Sequence, residues 1–274
     1  MRKLLLLITC FFAFIISKGQ DYKYYTNLAD ICFSKADYKC AINNYIKALN
    51  LIDSLHPQRF QILSNLGTAQ RRIDNDNDAL ISYNKALKLK PNNVVLLNNR
   101  ASLLSKLNDL NGSLTDYNLS IKIDPVNLEA WTSRAYVRLL MKDTIGAIRD
   151  LKYVLYRDPQ FYPAASNLAA IKSRQGKLDE AISDLSELIK KFPYEPILFN
   201  NRADYYMQKG EFKKALRDAN EALKIKDSYI SAYATRGEIY FKMGNRKKAG
   251  KDFSKAIELG SKDSKIFKLL EECR

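Results

Sequence analysis

Large and small side chains alternate along this chain in a pattern that recurs at one fixed interval, the length of the unit 60–93. Counting Phe60 as position 1 of that unit, positions 8 and 20 hold only Gly, Ala or Ser in seven successive units, whereas positions 4 and 24 are mostly large and apolar. Five prolines keep the same spacing: Pro57, Pro91, Pro125, Pro159 and Pro193. A period of this length indicates a repeat architecture, in which each unit buries its apolar stripe only against the next.

The small positions carry a family resemblance. Position 8 reads Ala29, Gly67, Ala101, Ala135, Ala169, Ala203 and Gly237. Together with the small residue at position 20, this pattern resembles the tetratricopeptide repeat (TPR), in which a larger side chain would hold two crossing helices apart. The resemblance implies an all-α fold, a right-handed superhelical solenoid of antiparallel helix pairs. Its seven units are 22–55, 60–93, 94–127, 128–161, 162–195, 196–229 and 230–263.

The turns and the two ends refine this picture. Three glycines, separated by the same interval, mark the tight turn within a unit, where a left-handed residue is wanted: Gly176, Gly210 and Gly244. In the first unit, four extra residues lie between Ala48 and Pro57. Because four residues make about one helical turn, they predict a second helix one turn longer than its equivalents. A short capping helix is expected over 264–274, where polar residues would solvate the outer face of the last unit.

The segment 1–19 has the features of a secretory signal peptide. Arg2 and Lys3 precede an uncharged stretch over 4–17, and small residues follow at a cleavage site that would leave Gln20 as the first residue. A membrane anchor through 4–17 is the alternative, but a helix of that length spans only about 21 Å of a hydrocarbon core of roughly 30 Å. The sequence therefore predicts a periplasmic or secreted protein without stable membrane insertion after cleavage.

The net charge gives a second, weaker indication of what the protein binds. The formal net charge is +15, and removing Arg2, Lys3 and Lys18 with the signal segment leaves +12. This balance favours acidic partners or an anionic surface nearby. Many of the lysines fall on second helices of the last units: Lys213, Lys214, Lys247, Lys248, Lys251 and Lys255. No nucleic-acid-binding motif accompanies them, so we expect no nucleic-acid partner.

Position 7 varies together with position 23. Four units have Arg at position 7, and all four have Asp at position 23: Arg100 with Asp116, Arg134 with Asp150, Arg202 with Asp218, and Arg236 with Asp252. The three units with Leu at position 7 have Asn, Ser and Asp at position 23. Because a partly buried guanidinium needs a carboxylate partner, we expect structural ion pairs between the two helices of each unit.

A row of small polar side chains is expected along the groove. In TPR proteins the first helices line the concave side, and positions 5 and 6 face it. Asparagines occupy position 6 at Asn27, Asn65, Asn99, Asn167 and Asn201, and position 5 at Asn98 and Asn200. A side-chain amide both donates and accepts hydrogen bonds, so such a row can pair with the backbone of an extended peptide. It resembles the asparagine ladder in the TPR superhelix of O-linked N-acetylglucosamine transferases. The clamp by which TPR co-chaperones grip a C-terminal carboxylate is absent, because no unit has a basic residue at position 6.

The residues of catalysis and metal binding are sparse. With one histidine, His56, no Ser/His/Asp set or paired His/Cys ligands can be assembled, so we expect no enzyme activity, no metal site and no cofactor. Cys32 and Cys40 flank one hairpin turn and could pair in an oxidising compartment, although position 19, that of Cys40, is expected to point away from the partner helix.

Two functions remain from the sequence. The first is a non-catalytic interaction scaffold outside the cytoplasm that holds a peptide or protein segment in the concave groove. The second is an envelope assembly or carrier factor that engages an anionic polymer or membrane through basic residues on its convex surface. Salt separates them, since charge attraction weakens with screening whereas hydrogen bonding in a groove does not.

Overall fold

The computed structural model describes residues 21–274, and all the regular secondary structure in that range is helical. Helix α1 covers residues 21–34. The helices that follow are α2 (Tyr38–Asn50), α3 (Arg59–Arg72), α4 (Asp76–Leu89), α5 (Val94–Lys106), α6 (Leu110–Ile123), α7 (Leu128–Leu140), α8 (Thr144–Arg157), α9 (Tyr162–Arg174), α10 (Leu178–Lys191), α11 (Pro196–Gln208), α12 (Phe212–Ile225), α13 (Ile230–Lys242), α14 (Arg246–Glu258) and α15 (Ser264–Glu271). The signal segment expected at 1–19 lies outside the described residues. None of the helices from residue 21 onward is long and apolar enough to cross a membrane.

The described residues through Asp150 form one compact unit, and Leu151–Arg274 form a second. In the first unit α3 packs on α4 and α5 on α6; in the second, α9 packs on α10, α11 on α12 and α13 on α14. Within each unit the first helices of neighbouring repeats also contact one another: α3 with α5, α5 with α7, α9 with α11, and α11 with α13. In a stack of helical hairpins, such contacts place the first helices on the inner, concave side.

The hairpin turns are built on one left-handed residue at position 15. Its φ is positive in all seven repeats: Ala36 (59°), Asp74 (57°), Asn108 (65°), Lys142 (65°), Gly176 (80°), Gly210 (78°) and Gly244 (78°). The next residue often caps the second helix, as where Asp109 accepts a hydrogen bond from the Gly112 N–H at 2.9 Å. The three turn glycines expected from the sequence are thus confirmed as left-handed, and four repeats adopt the same conformation without glycine.

The two helices of a repeat cross on the small residues of positions 8 and 20. Ala203 and Ala215 are fully buried in one such crossing, and Ala249 in the next. At Gly237 the approach is so close that an added Cβ would stand 2.6 Å from the Phe253 ring, which is itself fully buried. The small residues therefore let the aromatic ring of position 24 pack directly on the backbone of the first helix.

The expectation of a longer second helix in repeat 1 is wrong. Helix α2 ends at Asn50, and residues 51–58 form a looped connection instead of an extra helical turn. The guanidinium of Arg59 donates to the carbonyl oxygens of Leu49 (3.0 Å) and Ile52 (3.1 Å). Since these carbonyls at the end of α2 are satisfied by a side chain from α3, the helix can stop there and the chain can turn.

The first hairpin is also closed covalently. Cys32 in α1 and Cys40 in α2 form a disulfide, with their Cα atoms 5.8 Å apart across the turn. The side chain of Asp37 accepts a hydrogen bond from the Cys40 N–H, which sets the first turn of α2 beside the end of α1. Position 19 of this repeat therefore points toward the partner helix, contrary to the expectation from helix geometry alone.

Candidate binding groove

Position 6 supplies side chains that the first helices present on their accessible surface. All seven are exposed or half-buried: Asn27, Asn65, Asn99, Ser133, Asn167, Asn201 and Thr235. Five of them are amides, each with two hydrogen-bond donors and an acceptor oxygen. We call these five the position-6 asparagines. They are accessible on the first helices of each unit.

Position 5, predicted to belong to the same row, is placed differently. Asn200 is buried, as are Ser64 and Ser166 at the same position of other repeats. The side-chain oxygens of Asn98 and Asn200 are shielded from solvent and accept no hydrogen bond within the protein. These two oxygens are therefore not accessible to a ligand, and Asn200 is buried as a whole, whereas Asn98 is half-buried.

Two position-6 asparagines are held by neighbouring side chains. Asn65 Oδ1 accepts from Gln61 Nε2 at 3.1 Å. Asn201 Nδ2 donates to Ser166 Oγ at 3.1 Å, which links the first helices of two successive repeats. Each bond uses only part of the hydrogen-bonding capacity of an amide and fixes its orientation.

A cavity of about 260 Å³ lies on repeats 1 and 2. It is lined by Asp30, Phe33, Ser34, Tyr45, Asn65 and Thr68. The Tyr45 hydroxyl donates a hydrogen bond to Asp30 Oδ1. Burial of the ring, together with Asp30, raises the pKa of the Tyr45 phenol far above its ordinary value, so this hydroxyl stays a donor. The cavity is smaller than the roughly 300–1,000 Å³ of small-molecule sites, and its size suits a single side chain.

A second cavity, of about 440 Å³, lies on repeats 6 and 7 beside α15. Its lining residues are Asp204, Met207, Gln208, Glu238, Phe241, Lys242, Lys265 and Leu269. Lys265 of α15 donates to Glu238 Oε2 at 2.6 Å. Asp204 accepts from the neutral amide of Gln208 at 2.7 Å, and burial raises the pKa of its carboxyl group. This cavity therefore contains one carboxylate already paired with a cation of the same chain.

Sequence reasoning missed these cavities, although a signal was present. Both are lined by positions 9 and 12, and position 9 is acidic only in repeats 1, 6 and 7: Asp30, Asp204 and Glu238. Inspection of position 9 alone could have located the acidic places of the groove. It could not have shown that neighbouring residues enclose them.

The four arginines of position 7 lie inside the repeats and point at the aspartates of position 23. Nε and Nη2 of Arg202 donate to the two oxygens of Asp218 at 2.7 and 2.9 Å. Arg134 and Asp150 make the same fork at 2.9 and 2.7 Å and are the most deeply buried pair, with 10% and 1% of their side chains exposed. Arg100 with Asp116 and Arg236 with Asp252 repeat it at 2.7 Å. Such paired guanidiniums serve as braces between two helices.

Each of these arginines also has a second partner, in the preceding repeat. Nη1 donates to position 25 of that repeat: Arg100 to Asn84 (2.8 Å), Arg134 to Asn118 (2.7 Å), Arg202 to Ser186 (2.9 Å) and Arg236 to Asn220 (2.7 Å). Where the next position 7 is Leu, position 25 is Ile46 or Lys152. The covariation of position 7 with position 25 of the preceding repeat is thus visible in the sequence, but a comparison within single units does not find it. One arginine joins three helices.

Comparison with known proteins agrees with this architecture. Four family models, each described as tetratricopeptide repeat, match residues 22–92, 82–115, 167–230 and 230–262, together more than half of the chain. The chain is a tetratricopeptide repeat protein. No curated protein matches it at a level that indicates a relative.

Two of the solved structures that this TPR protein resembles illustrate the likeness. A tetratricopeptide repeat protein from Parabacteroides merdae ATCC 43184 is 28% identical, with a TM-score of 0.79 over 93% of this chain and 99% of that one. The anaphase-promoting complex hetero-tetramer Cut9-Hcn1 is 11% identical, with a TM-score of 0.61 over 86% of this chain and 48% of that one. The second likeness concerns the fold alone. Consecutive helix pairs are thus shared with experimentally determined TPR structures.

The single histidine of this TPR protein packs at the first repeat. The His56 ring meets Tyr22 edge-on, with centroids 4.8 Å apart, and its Nδ1 accepts from the Gln58 N–H at 3.2 Å. Across residues 21–274, no three His, Cys, Asp or Glu side chains are grouped so that they could hold a metal ion. His56 has a packing role in the connection between repeats 1 and 2.

Proposed function

We propose that this TPR protein is a non-catalytic interaction scaffold that holds an extended peptide or protein segment against its first helices. The observation that carries the proposal is that the position-6 asparagines are accessible on first helices that contact one another within each unit. Repeat solenoids present extended concave surfaces of this kind to their partners. No residue is assigned a catalytic role.

Recognition would depend on the backbone of the bound segment. An amide that offers both a donor and an acceptor matches the N–H and C=O groups of an extended chain. Successive position-6 asparagines would contact successive parts of the segment within each unit. Affinity from such bonds depends little on sequence, so specificity has to come from pockets for individual side chains.

Replacing Asn65, Asn99, Asn167 and Asn201 together with Ala should lower the affinity for groove-bound peptides by about fivefold or more. The expectation follows from two lost hydrogen bonds of about 0.5–1.5 kcal/mol each in whichever unit the peptide occupies. The probes are peptides selected on the wild-type protein from a random phage-displayed library, and their affinities are measured by fluorescence anisotropy. Circular dichroism checks that the variant keeps its helices.

A matched control removes four exposed asparagines that lie outside the first helices: Asn43, Asn77, Asn92 and Asn111. This control should bind the peptides as the wild type does. Equal binding by the wild type and the position-6 variant would refute the backbone-reading proposal.

A second candidate function rests on the basic surface of repeat 7. Helix α14 begins with Arg246, Lys247 and Lys248, all exposed, and Lys251 follows one turn later. An anionic polymer or membrane would be attracted there. Binding to vesicles containing phosphatidylglycerol should then fall steeply between low and moderate salt, whereas peptide binding in the groove should persist.

We also propose that the mature protein acts outside the cytoplasm and begins at Gln20. The signal-like segment 1–19 motivates this location, and the Cys32–Cys40 disulfide supports it because disulfides persist in oxidising compartments. Mass spectrometry of protein isolated from its native cells without reductant should find an N-terminus at Gln20. It should also find Cys32 and Cys40 in one linked fragment. A retained Met1 with both thiols free would contradict the proposed location.

A further inference from the structure

The cavity on repeats 1 and 2 combines one carboxylate with two aromatic rings. Asp30 is exposed, whereas Tyr45 is buried and donates its hydroxyl hydrogen to Asp30 Oδ1. Phe33 lies on the same helix one turn from Asp30 and lines the cavity with it. A negative group beside a partly accessible aromatic side chain such as Phe33 is a favourable environment for a cation with an aliphatic stem.

An equivalent carboxylate in repeat 7 of the same chain binds a lysine side chain. Asp30 and Glu238 occupy position 9 of their repeats, and Phe33 and Phe241 occupy position 12. At Glu238 the ammonium group of Lys265 stands 2.6 Å from Oε2, within the cavity that Phe241 also lines. In repeat 7 the acid of position 9 is therefore paired with a lysine, and that lysine lies on α15, the helix that follows the repeat.

Repeat 1 has the acid and the ring in the same register, and none of the described residues that line its cavity is a cation. Repeat 2 has a basic residue, Arg71, at position 12, but its guanidinium bonds to the Asn99 carbonyl (3.4 Å) and the Ser102 hydroxyl (3.3 Å) of repeat 3. The local charge therefore favours a basic ligand group, although the protein as a whole carries a net charge of +15.

We infer that the cavity lined by Asp30, Phe33 and Tyr45 receives a lysine or arginine side chain of the bound segment. The stem of that side chain lies along the half-buried Phe33 ring, and its charged end pairs with the Asp30 carboxylate. This inference rests on the proposed peptide-binding function and adds a basic residue as its specificity determinant. Position 9 is uncharged in repeats 2 to 5 (Thr68, Ser102, Tyr136 and Ala170), and the acids at this position in repeats 6 and 7 share their cavity with Lys242 and Lys265. The basic residue is therefore required at one register of the segment.

The test uses peptides selected on the wild-type protein from a random phage-displayed library. They should share a lysine or arginine at one fixed position. D30N should weaken their binding about tenfold, because it removes the charge yet keeps an oxygen that can accept from Tyr45. D78N removes one exposed carboxylate from helix α4, outside the cavity, and should leave the affinity unchanged.

A double-mutant cycle makes the result specific. Changing the shared basic residue of the peptide to methionine should weaken binding to the wild type about tenfold and have little further effect on D30N. This inference would be overturned by peptides that depend on the position-6 asparagines but share no basic residue, or by peptides that bind D30N as tightly as the wild type. Either result would leave the scaffold proposal standing. Selected peptides that are indifferent to the position-6 asparagines would overturn the scaffold proposal itself. A selection that enriches no peptide counts against both.

Discussion

Replacing Arg202 with Leu lowers the free energy of unfolding of the second unit by about 3–5 kcal/mol, the range found when one partner of a buried ion pair is removed. The reason lies in Asp218, only 6% of whose side chain is exposed and whose two oxygens both accept from Arg202. Without the guanidinium a buried carboxylate remains unpaired, and Ser186 of the preceding repeat loses its donor as well. Urea unfolding followed by circular dichroism measures the loss.

The chain itself offers the matched control for this variant. Repeat 2 has Leu66 and Ser82 at the positions of Arg202 and Asp218. The double variant R202L/D218S, which copies that pair, should regain stability to within about 1 kcal/mol of the wild type, since no charge is left buried. If the double variant is as unstable as R202L, the loss comes from packing and the pairing account is wrong.

Replacing Phe253 with Ala should lower the free energy of unfolding by about 3–5 kcal/mol, as buried Phe-to-Ala changes do. The Phe253 ring is fully buried and packs on the backbone of Gly237, so its removal leaves a cavity at the crossing of α13 and α14. In a repeat protein the stability is a sum of local terms, and the damage should therefore centre on the last repeat. Hydrogen exchange should accelerate in α13, α14 and α15 before it accelerates in α9 or α10.

Tyr194 is the control for the loss of an aromatic ring, because 82% of its surface is exposed. Tyr194→Ala should change the free energy of unfolding by no more than about 0.5 kcal/mol. Equal losses in the two variants would show that burial of Phe253 at the crossing does not explain its contribution.

The contacts of the position-7 arginines are an example of contacts between helices that the sequence alone can predict. A constant spacing separates Arg from Asp in four repeats, and the same spacing separates each Arg from an Asn or Ser before it. Both regularities are visible in the sequence, because a strict repeat turns a contact between helices into a constant spacing. Comparison within single units finds the first regularity, and comparison across adjacent units is needed for the second.

The two cavities, in contrast, could not be predicted from the sequence. Asp30 and Phe33 of repeat 1 meet Asn65 and Thr68 of repeat 2, and Lys265 of α15 reaches Glu238 of repeat 7. These groupings depend on how far each helix is rotated and displaced against the next. A repeat spacing does not specify those quantities, so neither cavity nor its charge could be derived from it.

The sequence by itself determined the hairpin architecture, because a fixed repeat period with small side chains at two constant positions leaves paired helices in a stack as the arrangement that buries the large ones. Tertiary structure alone decided which polar groups are accessible. It placed the position-6 asparagines toward solvent, shielded the oxygens of Asn98 and Asn200, and ended α2 at Asn50 through carbonyl bonds from Arg59. The physical reason is that local spacing sets which residues share a helix face. Exposure and helix ends depend instead on groups that arrive from other helices.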